Sequence, residues 1–227
     1  MKNLSSLLIA VLAVVSGVMA FTLDSYSLLV FTLCALATVV GVSLNILIGL
    51  SGQISFGHIA FYAIGAYVSA LLTLAGWPLW LALPIAGVAA GVIGALLAIP
   101  ALRVSGPYLA MITIAFAFVV HHSLIEWRDV TGGSNGLMGI PMPEFAGLDP
   151  SIFLALLAAA LMIGALLFYQ RLSHSRWGKA MRAVKASEIA ARSLGFNPVI
   201  SKTLAFALSA ALTGLAGGLL APLLMFI

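Results

Sequence analysis

Apolar residues run along this chain in blocks of about twenty, the length a helix needs to cross a bilayer core about 30 Å thick. Seven blocks are read: 4–23, 28–50, 58–75, 79–99, 108–125, 152–169 and 203–226. Turn punctuation separates them. Gly49, Gly52 and Gly57 surround a short polar stretch, Gly76-Trp77-Pro78 makes a turn, and Ser105-Gly106-Pro107 opens the fifth block. Residues 25–102 contain no Asp, Glu, Lys or Arg. In hydrocarbon an open sheet edge leaves backbone groups unpaired at high cost, so each block is helical. The expected fold is all-α: a polytopic transmembrane bundle of about seven spans, forming one domain over residues 1–227.

Composition agrees with a lipid-facing surface. The chain is 63% hydrophobic and 7% charged, against about 25% charged in a soluble domain. The net charge of +4 is unevenly placed. Segment 126–150 holds Glu126, Asp129, Glu144 and Asp149 against one cation, Arg128. Segment 170–202 holds Arg171, Arg176, Lys179, Arg182, Lys185, Arg192 and Lys202 against one acid, Glu188. A loop rich in Lys and Arg belongs on the cytoplasmic side. Alternation then puts Arg103 and Lys2 inside, Asp24 outside, and the N-terminus in the cytoplasm. The first block has a rival reading. Lys2 followed by an apolar run ending Val18-Met19-Ala20 also fits a cleaved signal peptide, but its length favours a retained helix. The lone cysteine, Cys34, makes no intrachain disulfide.

Chemistry is sparse. There is no phosphate-binding loop, no nucleophile–base pattern and no zinc spacing, which argues against an enzyme and against a metal centre. His121, His122 and Glu126 gather at one end of the fifth block, where an interfacial pair is the simpler reading. No Asp, Glu, Lys or Arg lies deep in a span, which disfavours a self-contained ion-coupled carrier. Gly87 and Gly91, like Gly214 and Gly218, are four apart and suit close helix packing. Asn45, Gln53, Ser55, His58 and Thr113 lie in or beside spans and must face a neighbouring helix or a watery cavity.

The basic segment reads as an amphipathic helix over 182–195. Arg182, Lys185, Glu188 and Arg192 form one charged face, and Val184, Ala191 and Leu194 another. Gly195, with Asn197-Pro198 beyond, is a helix-end signal. Such a helix lies on lipid headgroups or docks on a partner.

Glu188-Ile189-Ala190-Ala191 followed by Gly195 resembles the coupling loop of bacterial ABC importer permeases. Three further stretches resemble the branched-chain amino acid permease family: GLSGQISFGHIAFYAIGAY at 49–67, LRVSGPYLAMITIAF at 102–116, and TGGSNGL at 131–137 before Ile140-Pro141. Together and in order they cover most of residues 40–220. They are most similar to the second of that family's two permease types, and urea and short-chain amide importers share the architecture. Against such permeases the chain reads as a shortened member or a fragment, which keeps a non-transporting membrane scaffold in view.

The resemblance implies a membrane permease subunit of an importer, located in a bacterial inner membrane. Its partners would be cytosolic ATPase subunits that bind the ATP, a homologous second permease and a periplasmic substrate-binding protein. No cofactor is expected in this chain. Cytoplasmic loop 170–202 would receive the motor's movement through Arg182, Lys185, Glu188, Ala190, Ala191 and Gly195. Glu188 would be the charged anchor, Ala190 and Ala191 the close-packing surface, and Gly195 the helix stop. The glycine-rich break offers Gln53, Ser55 and His58 as substrate-path candidates, because interrupted helices expose backbone groups. The outer loop, with Thr131, Gly132, Gly133, Asn135 and Gly136, is the candidate docking surface for the binding protein.

Overall fold

The apolar blocks become helices whose ends are set by small local devices. A computed structural model describes residues 2–101, 106–143 and 147–227. Arg103 and Glu144, two charges counted for orientation, lie outside the described residues. In order, the long helices are α1 (Lys2–Thr22), α2 (Ser25–Leu44), α3 (His58–Leu74), α4 (Leu79–Ala101), α5 (Pro107–Glu126), α7 (Pro150–His174) and α10 (Pro198–Leu224). Short helices α6 (Arg128–Thr131), α8 (Arg176–Ala186) and α9 (Glu188–Ser193) fill the connections. Residues Asn45–Leu50 continue α2 as a wider π-helical turn.

The fold is the expected all-α polytopic bundle, with one correction. Among the described residues five helices, not seven, are long and apolar enough to cross a membrane. They are Ser25–Leu50, Leu79–Pro100, Pro107–Glu126, Pro150–His174 and Pro198–Leu224. The apolar helix His58–Leu74 falls short of span length. For α3 the reason is the break before it, which consumes residues that an uninterrupted helix would have used.

Two helices begin earlier than their apolar blocks because a capped Pro starts each. Asp149 Oδ1 accepts from Ser151 N at 2.9 Å ahead of α7, and Asn197 Oδ1 accepts from Val199 N at 2.9 Å ahead of α10. Pro150 and Pro198 then occupy the first helical turn, where a missing N–H costs nothing. Asn197-Pro198 is therefore the start of α10 rather than only the end of what precedes it.

α10 is the centre of the bundle. It packs most extensively on α4 and α3, then on α2. Its buried positions include Ser201, Ala205, Phe206, Ser209, Ala210, Thr213, Gly214, Gly217 and Gly218, at the three- and four-residue spacing of one helix face. The contacts are backbone-close. A Cβ on Gly65 would strike the backbone of Gly214, and one on Gly217 the backbone of Tyr62. On α4, Gly87 lies against Leu215, Gly91 against Ala211, and Gly94 against Ala210 and Phe206. Lipid tails are as apolar as Leu, so helices associate in a bilayer by this tight packing. α2 and α1 complete the bundle by packing on α7. α5 stands apart, touching chiefly α3, with only Leu109 and Thr113 buried.

Enlarging these glycines should loosen the centre. Gly65→Ala and Gly217→Ala are expected to destabilise the chain by about 1–3 kcal/mol or more, the usual cost of overpacking. Gly164→Ala, where a new Cβ meets nothing within 4 Å, should be neutral or stabilising in its helix. Thermal unfolding of the three variants in detergent checks the contrast.

Candidate functional site

The glycine-rich break and the basic segment meet at one end of the bundle. The polar stretch begins where α2 opens into its π-helical turn. The Asn45 side chain folds over Gly49, which has no room for a Cβ there. Gly52 turns the chain at φ +71°, a backbone that glycine adopts freely. Gln53 Nε2 donates to Ser51 Oγ, and Gly57 N donates to Ser55 Oγ at 3.3 Å. From α5, Thr113 Oγ1 accepts from Phe56 N at 3.0 Å. The break is thus a fixed element with its polar groups satisfied locally.

Gln53, Ser55 and His58 are all buried, and each bonds a different partner: Ser51, Gly57 N and Ser209. His58 Nε2 lies 2.8 Å from Ser209 Oγ. Ser209 Oγ donates to Ser43 O at 2.7 Å, and Ser43 Oγ lies 2.7 Å from Thr213 Oγ1. This chain of neutral polar groups joins α3, α10 and α2 inside an apolar bundle. His58 Nδ1 has no hydrogen-bond partner among the described residues. Beside it, between α3 and α5, is an apolar groove of about 280 Å³ lined by residues such as Ile59, Ala63 and Phe118. None of the three polar candidates lines that groove.

The basic segment differs from the single amphipathic helix expected over 182–195. It is two helices, α8 and α9, divided at Ser187, which is extended at φ −163° and ψ 119°. The Ser187 hydroxyl accepts from Ala190 N at 3.3 Å and starts α9 as an N-cap. Ser175 does the same for α8 through Gly178 N. Three of the four charges read as an outward face are used inside the chain. Arg182 donates to Ser173 O at 2.7 Å, and Lys185 Nζ to Gly49 O at 2.9 Å and Ile48 O at 3.2 Å. Glu188 pairs with Lys202 at 2.5 Å, tying α9 to the first turns of α10. Ala191 is buried, whereas Ala190 is exposed. The outward surface of α9 is mixed: Ile189 is 84% exposed and Leu194, just beyond the helix, 71%, beside the exposed Glu188, Ala190, Arg192 and Ser193. Gly195, at φ +84°, ends the helix in the left-handed conformation that glycine accepts.

In the loop after α5, Thr131 is buried, and its hydroxyl bonds Leu124 O at 2.5 Å and Trp127 O at 2.8 Å. Gly132, Gly133 and Gly136 all have positive φ and lie against backbone or side-chain neighbours. Leu137 and Ile227 exchange backbone hydrogen bonds of 2.8 and 3.0 Å. Of the predicted loop residues, only Asn135 is exposed, beside Ser134.

The family of the permease component of the branched-chain amino acid transport system matches residues 25–226. The chain belongs to this permease family. It is 36% identical to the high-affinity branched-chain amino acid transport system permease protein LivM of Salmonella typhimurium, over 95% of this chain and 57% of that protein. It is 40% identical to LivM of Escherichia coli, over 84% of this chain and 51% of that protein. The chain spans about half the length of these curated relatives. No solved structure matches it. The family is one of transporter permeases rather than of enzymes.

Sequence reading of the permease missed the partners of His58. Ser209 and Thr213 are four apart on α10, and that spacing was the available signal. It also missed Ile189 as the exposed tip, because a charged face was sought there. Ser209→Ala should leave a second buried nitrogen of His58 unpaired and cost about 1–3 kcal/mol. Ser173→Ala, near the surface, should stay within about 0.5 kcal/mol. Unfolding midpoints of the two variants check this.

Proposed function

We propose that this chain is a membrane-spanning subunit of an ABC importer that moves branched-chain amino acids across the bacterial inner membrane. Cytosolic ATPase subunits bind the ATP, a homologous permease completes the pathway, and a periplasmic binding protein delivers leucine, isoleucine or valine. The observation that carries this reading is the family match over residues 25–226, joined to a protruding apolar tip on a basic segment. Segment 171–202 and the N-terminus face the cytoplasm, a placement supported by the segment's excess of Lys and Arg.

Mechanism follows from what is attached to what. α9 presents Ile189 and Leu194 to the motor, while Glu188 holds α9 to Lys202 of α10. A push on α9 therefore reaches α10 directly. α10 in turn carries Ser209 and Thr213, which bond His58 and Ser43. Moving α10 against α2 and α3 breaks or remakes these neutral bonds. The His58–Ser209 contact, with Gln53 and Ser55 close in sequence, is where a zwitterion with an aliphatic side chain would find polar groups in an apolar passage. Neutral groups suit a net-neutral substrate, because they need no counter-charge in a low-dielectric path. On the outer side Asn135 is positioned to meet the binding protein, with Thr131, Gly132, Gly133 and Gly136 shaping the loop that presents it.

The test is co-purification and uptake in a strain lacking its own permeases. Ile189→Asp should cut recovery of the ATPase with the permease by about tenfold or more, as removal of a buried apolar anchor does. Arg171→Ala should leave it unchanged. Leucine uptake should fall with Ile189→Asp. Full ATPase recovery with Ile189→Asp, or uptake of urea in place of leucine, would contradict the docking site or the substrate respectively.

A further inference from the structure

We infer that Lys185 clamps the basic segment to the helix break and carries movement from one to the other, a positioning role that nothing in the family match assigns. Its Nζ donates to Gly49 O at 2.9 Å and Ile48 O at 3.2 Å. These carbonyls belong to the end of α2 and its π-helical turn, Asn45–Leu50. The carbonyl end of a helix is the negative end of its dipole. Ile48 O also accepts from Gly52 N at 3.2 Å, and the ammonium adds charge-assisted hydrogen bonds to it and to Gly49 O.

A second feature points to the same contact. The stem of Lys185 lies directly over Gly52, where a Cβ would come within 2.7 Å of Lys185 Cγ. Gly52 also sits at φ +71°. The glycine thus serves both the turn and the lysine that crosses it. Residues 136 positions apart are held here by one flexible side chain, on the chain's surface, with the ammonium as the fixed point.

The consequence concerns coupling. Glu188 links α9 to α10, and Lys185 links α8 to the break that leads into Gln53, Ser55 and His58. The segment therefore grips α10, which carries Ser209, and the end of α2, from which the break leads on to His58. A movement that rotates α8 pulls on Gly49 while α9 pushes on α10, so the two sides of the polar contact move together. Without the clamp, α9 would still push α10, but the break would not follow.

The functional half of this inference rests on the transport reading; the contact itself does not. Two measurements keep them apart. In the full chain in lipid nanodiscs, with Cys34→Ser, nitroxide labels at Ile54→Cys and Ala186→Cys report the separation of break and segment. The unaltered lysine and Lys185→Arg should give one narrow distance peak. Lys185→Gln and Gly52→Ala should each give a broad one, with monodisperse elution retained. A peak as narrow with Lys185→Gln as with lysine overturns the clamp. In the assembled importer, Lys185→Gln should lower leucine uptake by about tenfold, the scale of a lost charge-assisted hydrogen bond, with ATPase recovery unchanged and Lys185→Arg restoring most uptake. Normal uptake with Lys185→Gln overturns the coupling role. An unaltered complex that moves no amino acid overturns the transport reading and the coupling role with it, and the distance peak then decides the clamp alone.

Discussion

The close backbone approach of α10 to α3 and α4 is the constraint on which the rest of this molecule depends. In a bilayer there is no water to drive helices together, so close van der Waals packing must hold them. Gly65 against Gly214, Gly217 against Tyr62 and Gly94 against Ala210 supply it. That approach also sets the polar chemistry. Only because α10 sits so near α3 and α2 can Ser209 reach both His58 and Ser43, and Thr213 reach Ser43. A bulkier seam would separate these helices and strand buried polar groups at about 1–3 kcal/mol apiece.

The same helix joins the interior to the surface. Its first turns hold Lys202, paired with Glu188 of α9, and its middle holds the polar chain. Charges that read in sequence as a solvated face instead tie the basic segment to α10, to the end of α2 and to Ser173. Beside the exposed Arg192, α9 and the residue after it leave two large apolar side chains outward, Ile189 and Leu194. The segment is held at several points within the chain and leaves Ile189 exposed.

Much of the fold was legible because apolar length and turn glycines are strong local signals. The break at Gly49–Gly57 stood out for that reason, and so did the small-residue faces of α4 and α10. Element ends were less legible where one residue pair serves two purposes. Asn197-Pro198 reads as the end of one helix and is also the capped start of the next. Ser187 was hidden by charges spaced three and four apart, which mimic one continuous helix face across a cap that divides it. Apolar length also overcounts spans, since His58–Leu74 is apolar throughout but short. The partner of His58 was barely legible: Ser209 and Thr213 share a face of α10, but pairing across 151 residues depends on how helices pack.

The account requires the basic segment and the glycine-rich outer loop to lie on opposite sides of the membrane. Single cysteines at Ile189 and Ser134, each in a Cys34→Ser chain, test this with a membrane-impermeant maleimide on intact spheroplasts. The account predicts that the label reaches position 134 at once and position 189 only after the membrane is opened. Labelling of position 189 in intact spheroplasts would contradict it.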